Sequence, residues 1–294
     1  MAKLCAVIGF FSPSSYVLPK KHLQTTVAHL IDSGADVAVL QVVRPENKPE
    51  PLPSCVKSGV WYSTHTLFWK ENLWNLGLTL VPHERLLFID SDVVFAEPTW
   101  LEHTLAALDE YDLIQPFEIG TWLSKTGGLE MRRKAAAVAL AAGIDPRPDT
   151  YHPGFAWATT RTVLNKMGGW YALHPAGGGD TAMAMALTKQ EHAERWAAHL
   201  SCETHYWFRK SYQDYRKRLQ SLNLKIGFCS GLSLQHMWHG DRQHRKYIGR
   251  SLFLPQTGAD EFPLRYRPDG LLEWTEEYHN VQAKAYFDQR KEDG

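Results

Sequence analysis

The sequence has 294 residues, 44% of them apolar and 22% charged, with 32 basic and 32 acidic side chains. That length is enough for a large core, in one big domain or two small ones. The balanced charge excludes bulk attraction to nucleic acid or to an anionic membrane and leaves room only for local patches.

Leu4–Phe11 is an unbroken apolar run ended by Pro13, read as a first strand; it is too short for a signal peptide. Leu23, Val27, Leu30 and Ile31 recur at helical spacing over residues 20–33, with Gly34 as a stop. Asp36–Val43 is a second strand, so the chain opens as β-α-β. Four prolines make residues 44–54 a loop. Residues 63–77 read as an amphipathic helix that leads into Leu86-Leu87-Phe88-Ile89-Asp90-Ser91-Asp92. A helix is expected from Pro98 to Leu108, a strand from Tyr111 to Phe117 and an Ala-rich helix over 129–142. Tyr151–Ala158 is strand-like, Met167–Trp170 a tight turn, and Thr181–Lys189 a helix. Ile226–Leu234 reads as a strand, and Leu271, Trp274, Tyr278, Val281 and Ala285 suggest a packed helix in the tail.

The stretch ending in Asp90-Ser91-Asp92 organises the rest. A buried strand tolerates no free charge, so both aspartates belong where it emerges, and there open α/β sheets bind ligands. In an extended chain both side chains leave one face, and two hard oxygen donors suit Mg²⁺ or Mn²⁺. Gly177-Gly178-Gly179 would let backbone approach a ligand, with Asp180 at a helix N-cap or acting as a general base. His236 and His239 are three residues apart and need not meet on one ion. Arg242, Arg245, Lys246 and Arg250 offer a clamp for a diphosphate or an anionic acceptor. Eleven tryptophans is a high count, and most of them should be core.

Taken in order, these segments resemble GT-A glycosyltransferases of the family 2 type. Phe88–Asp92 resembles the Asp-x-Asp strand end. Lys70, Asn75 and Gly77 are similar to a donor-helix stretch. Pro153–Ala158 with Arg161 and Gly168-Gly169-Trp170 resembles the acceptor floor. Gly178-Gly179-Asp180 stands at an acidic motif, with Gly179 where a Glu is usual, and His236 at the place of a third metal ligand. The resemblance implies one domain (1–294) with a single Rossmann-like mixed sheet flanked by helices. Residues 1–118 would form a nucleotide-sugar half, 119–250 an acceptor half and 251–294 a helical tail. It implies a metal-dependent transferase that moves a sugar from a nucleotide-sugar, UDP-hexose by family weight, to an acceptor hydroxyl by inverting single displacement. The acceptor would be a saccharide or a hydroxymethylated DNA base. Metal ligands would be Asp90, Asp92 and His236, with Mn²⁺ ahead of Mg²⁺ and the choice between His236 and His239 open. Donor contacts would come from Phe10, Lys70, Asn75, Asp90, Ser91, Asp92, Gly178, Gly179, His239 and Arg242. Trp157, Trp170 and Asp180 would face the acceptor, with Asp180 as base.

A haloacid dehalogenase-type phosphatase with Asp90 as nucleophile is the rival reading, weakened because Ala184 stands where its second carboxylate is needed. A zinc module of Cys202, His205, Cys229 and His236 has poor spacing. Cys5, Cys55, Cys202 and Cys229 are scattered without a C-x-x-C, so reduced thiols and a cytoplasmic protein are expected. No run approaches the length of a transmembrane helix.

Overall fold

The computed structural model describes residues 3–14, 16–147, 150–188, 206–245 and 262–294. A seven-stranded mixed sheet forms its centre. The strands are β1 (Leu4–Phe11), β2 (Asp36–Val43), β3 (Lys57–Tyr62), β4 (Arg85–Ile89), β6 (Leu113–Gln115), β10 (Ala156–Thr160) and β11 (Ile226–Phe228), in the order β11-β6-β10-β4-β1-β2-β3. β3, β2, β1 and β4 run parallel, and β10 is antiparallel to both β4 and β6.

Strand periodicity sorts the core into two layers. Leu4, Ala6, Ile8 and Phe10 of β1 pack on one face, with Leu23, Val27 and Leu30 of α1 (Leu18–Asp32) and Trp100 of α3 (Trp100–Glu110). Cys5 and Val7 face the other way, with Leu73 and Trp74 of α2 (Lys70–Gly77), α5 (Arg161–Met167), α6 (Gly179–Ala186) and α7 (Tyr206–Ser221). Helices therefore cover both faces, and β4 lies buried between them, as its apolar run requires.

The sheet is not single as expected. A second sheet, in the order β5-β12-β7-β8-β9, consists of β5 (Val93–Phe95), β7 (Ile119–Leu123), β8 (Leu129–Ala135), β9 (Tyr151–His152) and β12 (Ser233–His236). β8 corrects the first half of the helix expected over 129–142; only α4 (Ala136–Ala141) is helical there. The helix expected over 63–77 starts at Lys70, and β3 precedes that stretch. The strand expected over 226–234 is two strands, one in each sheet.

In the tail, Trp274 belongs to a hairpin of β13 (Leu264–Tyr266) and β14 (Leu272–Trp274), and the helix α8 is Glu277–Asp288. Its inner face is His279, Asn280, Ala283, Tyr286 and Phe287, while Tyr278 and Val281 are exposed. The tail docks through specific hydrogen bonds. Asn280 Oδ1 accepts from Thr66 N at 2.7 Å, and the Trp69 indole donates to Leu272 O at 2.8 Å. No helix among the described residues is long and apolar enough to cross a membrane. Cys5, Cys55 and Cys229 are free thiols. Cys202 and His205 of the zinc-module reading lie outside the described residues, as do Lys246 and Arg250.

Candidate functional site

The site forms where β4 leaves the large sheet and becomes β5 of the small one. Asp90 N–H donates to Phe155 O at 2.8 Å, and Met237 N–H donates to Asp92 O at 2.9 Å, so the exit loop is pinned on two sides. The Thr26 hydroxyl bonds Ser91 O and Val93 O from α1. β12 runs antiparallel to β5 with His236 opposite Val93, which delivers His236 beside Asp92.

The two aspartates take different partners. Asp92 Oδ2 lies 3.5 Å from His236 Nε2 and 2.7 Å from His239 Nε2. The ligand atoms of these three residues all lie within 4.8 Å of one another. Burial alone would raise the Asp92 carboxyl; His236 and His239 outweigh it and hold it well below the usual carboxylate range. Asp92 Oδ1 is buried with no hydrogen-bond partner. A carboxylate and two imidazoles converging on one point, with a buried oxygen left over, fit a divalent cation.

Asp90 turns instead to Lys70. The Lys70 ammonium is 3.1 Å from Asp90 Oδ1, 3.0 Å from Asp180 Oδ2 and 3.7 Å from Glu71 Oε1. One buried cation thus faces three acids. The carboxylates hold the lysine well above its ordinary value against the pull of desolvation. Burial pushes Asp90 up to about 6, with Lys70 opposing and Asp92 and Asp180 adding. Burial likewise pushes Glu71 up to about 7.

Asp180 is not the helix cap expected. Gly178 is the N-cap of α6, and Asp180 sits in the first turn. Its Oδ1 accepts from Thr181 N at 2.6 Å while Oδ2 takes Lys70. Its own N–H donates to Glu71 Oε1 at 3.1 Å. Gly179 is required by this contact, since a Cβ there would come within 2.5 Å of Glu71 Cδ and 2.6 Å of Tyr171 O.

Sequence reasoning missed Glu71 and His152, and placed Phe155 only in the acceptor floor. A Cβ on Gly154 would lie 2.6 Å from Asp180 Oδ2 and 2.9 Å from His152 Nε2, so both groups converge on that bare backbone. Burial lowers His152 to about 3, with Asp180 only partly opposing, which leaves a neutral imidazole beside the acid. Phe155 holds a left-handed φ of 76° and stacks its ring on His236 at 5.4 Å. Such strain costs on the order of 1–3 kcal/mol and clusters at functional sites. The tight sequence Tyr151-His152-Pro153-Gly154-Phe155 was the available signal.

Four expected ligand contacts are corrected. Trp157 is fully buried, with its indole donating to Pro153 O. Trp170 packs edge-on against Trp74 and Phe88 in the core. Asn75 is committed to the turn, accepting from Trp170 N and donating to Trp170 O. Phe10 is buried in the α1 layer. The three possible ligands that cluster are Asp92, His236 and His239, while Asp90 pairs with Lys70. Ser91 is half-buried in the exit loop, and Gly178 caps α6 with φ 138°. Arg242 opens a one-turn 3-10 helix, and its side chain lies outside the described part. A pocket of about 470 Å³ beside the histidine loop is lined in part by Leu18, His22, Lys125, Met237, Trp238 and Asp293.

No family model matches the chain. No curated protein matches it either. Among solved structures, the crystal structure of S. aureus TarS 1-349 is similar with a TM-score of 0.37 and 12% identity. The likeness covers 62% of this chain and 54% of that one, so this chain spans about half of that structure. A likeness of that size carries no argument about fold or function.

Proposed function

We propose that the chain is a metal-dependent glycosyltransferase with a GT-A type fold. It takes a sugar from a nucleotide-sugar, UDP-hexose first among them, and passes it to an acceptor hydroxyl. The observation that carries this reading is the pairing at the end of β4. Asp92 joins His236 and His239, and two residues earlier Asp90 joins Lys70, Glu71 and Asp180. One half suits a cation and the other suits proton and charge handling.

Asp92, His236 and His239 would hold the ion. Two imidazoles favour Mn²⁺ over Mg²⁺. When bound, such an ion supplies charge stabilisation to a departing nucleoside diphosphate. Asp180 serves as general base on the acceptor hydroxyl, which gives inversion by single displacement. Lys70 faces one Asp180 oxygen, and Thr181 N–H fixes the other. His152 stays neutral next to it and adds no competing charge. The acceptor is a saccharide or a hydroxymethylated DNA base. With Trp157 and Trp170 in the core, we assign acceptor stacking to Trp238, which lines the adjoining pocket.

The phosphatase reading fares worse. The second carboxylate it needs is absent, because Ala184 stands at that position, buried within α6.

The test is a donor screen by mass spectrometry with Mn²⁺, scoring nucleoside diphosphate release over saccharide and modified-DNA acceptors. Release that needs Mn²⁺, stops in EDTA and is lost in Asp92→Asn is the expected result. Wild-type turnover by Asp92→Asn in EDTA would overturn metal dependence. Robust hydrolysis of p-nitrophenyl phosphate, lost in Asp90→Asn, would replace transfer with phosphatase chemistry.

A further inference from the structure

The segment from Arg290 to Gly294 lies across the far side of the histidine pair. Glu292 Oε1 is 3.5 Å from His239 Nδ1, while Asp92 Oδ2 is 2.7 Å from His239 Nε2. The imidazole therefore lies between two carboxylates, at hydrogen-bond distance on the Nε2 side and at a looser approach, with no hydrogen bond formed, on the Nδ1 side. Arg290 Nη2 is 2.6 Å from the same Glu292 oxygen, and its guanidinium lies 5.4 Å from the Phe287 ring. Glu292 is 13% exposed and His239 6%.

The segment is anchored without reference to any ion. α1 has no side-chain cap of its own. Asp293 supplies one from the other end of the sequence, accepting from Val17 N at 2.9 Å and Leu18 N at 2.7 Å. Lys291 N donates to the Tyr16 hydroxyl at 2.9 Å, and that hydroxyl donates to Asp288 O at 2.8 Å. Gly240, just after His239, passes so close that a Cβ would lie 2.4 Å from Lys291 O.

We infer that Glu292 is a positioning residue of the candidate metal centre: when the ion is bound it receives the Nδ1–H of His239 and thereby fixes the Nε2 lone pair toward the ion held with Asp92 and His236. This rests on the metal centre proposed above. A metal-bound imidazole keeps its second N–H, and a carboxylate there fixes ring orientation and raises ligand basicity. The backbone of Arg290–Gly294 carries the carboxylate, and Asp293 and Tyr16 hold that backbone. The order of the metal site thus depends on residues that no Asp-x-Asp pattern includes.

The test is a Mn²⁺ titration of the full chain by calorimetry and electron paramagnetic resonance, with the Co²⁺ visible spectrum as a probe of geometry. Glu292→Gln is expected to weaken Mn²⁺ by about 10–100-fold and alter the Co²⁺ spectrum. Glu292→Asp, which keeps the charge, should recover part of the loss. Asp293→Asn keeps the Oδ1 that accepts from Val17 N and Leu18 N, so the segment stays anchored while the charge on the α1 cap is lost; it should lower Tm with little change in Mn²⁺ affinity. If wild type binds Mn²⁺ and Glu292→Gln binds within twofold of it with an unchanged Co²⁺ spectrum, Glu292 has no positioning role. If Asp293→Asn loses affinity as much as Glu292→Gln at matched loss of Tm, the effect is general destabilisation and the proposal fails. If wild type itself binds neither ion, the metal centre is wrong and the inference falls with it.

Discussion

Asp180 is the side chain on which the catalytic reading turns. Its Oδ2 shares Lys70 with Asp90, and its Oδ1 is held by Thr181 N–H. Asp180→Asn keeps the shape and leaves Lys70 with Asp90 and Glu71 as counter-charges. We expect Tm to stay near wild type while turnover falls by about 10²–10⁴-fold, the usual worth of a general base. A rate within a few-fold of wild type at normal Tm would leave Asp180 as a neutraliser of Lys70. Lys70→Met is a different kind of change, because it strips three buried acids of their cation. Removing one partner of a buried ion pair costs about 3–5 kcal/mol, so urea denaturation should register a loss of that order, and a loss under about 1 kcal/mol would mean that water reaches the cluster. The Asp-x-Asp was legible because an apolar run that stops in two carboxylates marks a strand exit. Glu71 was not, although it adjoins Lys70, because its importance comes from Gly179 having no side chain in the place that Glu71 fills.

At the scale of elements, the β-α-β opening was legible from periodicity alone, and β1 and β2 fall at their expected bounds. The small sheet was not. β8 reads Leu-Glu-Met-Arg-Arg-Lys-Ala, all good helix formers, yet it alternates in exposure and pairs with β7. Pairing overrode propensity there. That sheet is what brings His236 to Asp92, so the pairing of His236 with His239 lay beyond any spacing argument. The α2–α6 packing makes a testable claim of its own. Gly179→Ala would place a methyl 2.5 Å from Glu71 Cδ and 2.6 Å from a backbone oxygen, and the backbone cannot swing aside. Overpacking of this kind costs about 1–3 kcal/mol. A Tm several degrees lower is expected, only partly rescued in a Glu71→Ala background because Tyr171 O remains. Full rescue would mean the Tyr171 contact is not limiting.

For the whole molecule, the buried charges make stability depend on pH in two opposed ways. Glu71 is raised to about 7 in the fold from an ordinary value of 4.5, so between those values the folded state holds a proton that the unfolded state has lost. Its contribution is full below pH 4.5 and is lost as pH rises through 7. His152 is lowered from 6.5 to about 3, so its burial penalises the fold at low pH and the penalty fades as pH climbs through 6.5. The wild-type profile mixes both slopes and cannot separate them. The difference between wild type and Glu71→Gln can, because glutamine mimics the protonated acid and leaves His152 in place. The two proteins should be about equally stable at about pH 4. At about pH 8 the variant should be the more stable, by up to about 3 kcal/mol, since a tenfold change in proton affinity is worth about 1.4 kcal/mol. Urea denaturation at the two pH values measures this directly. If Glu71→Gln shows no gain at the higher pH, the attraction of Lys70 cancels the burial of Glu71, and the acid is ionised in the folded protein at neutral pH.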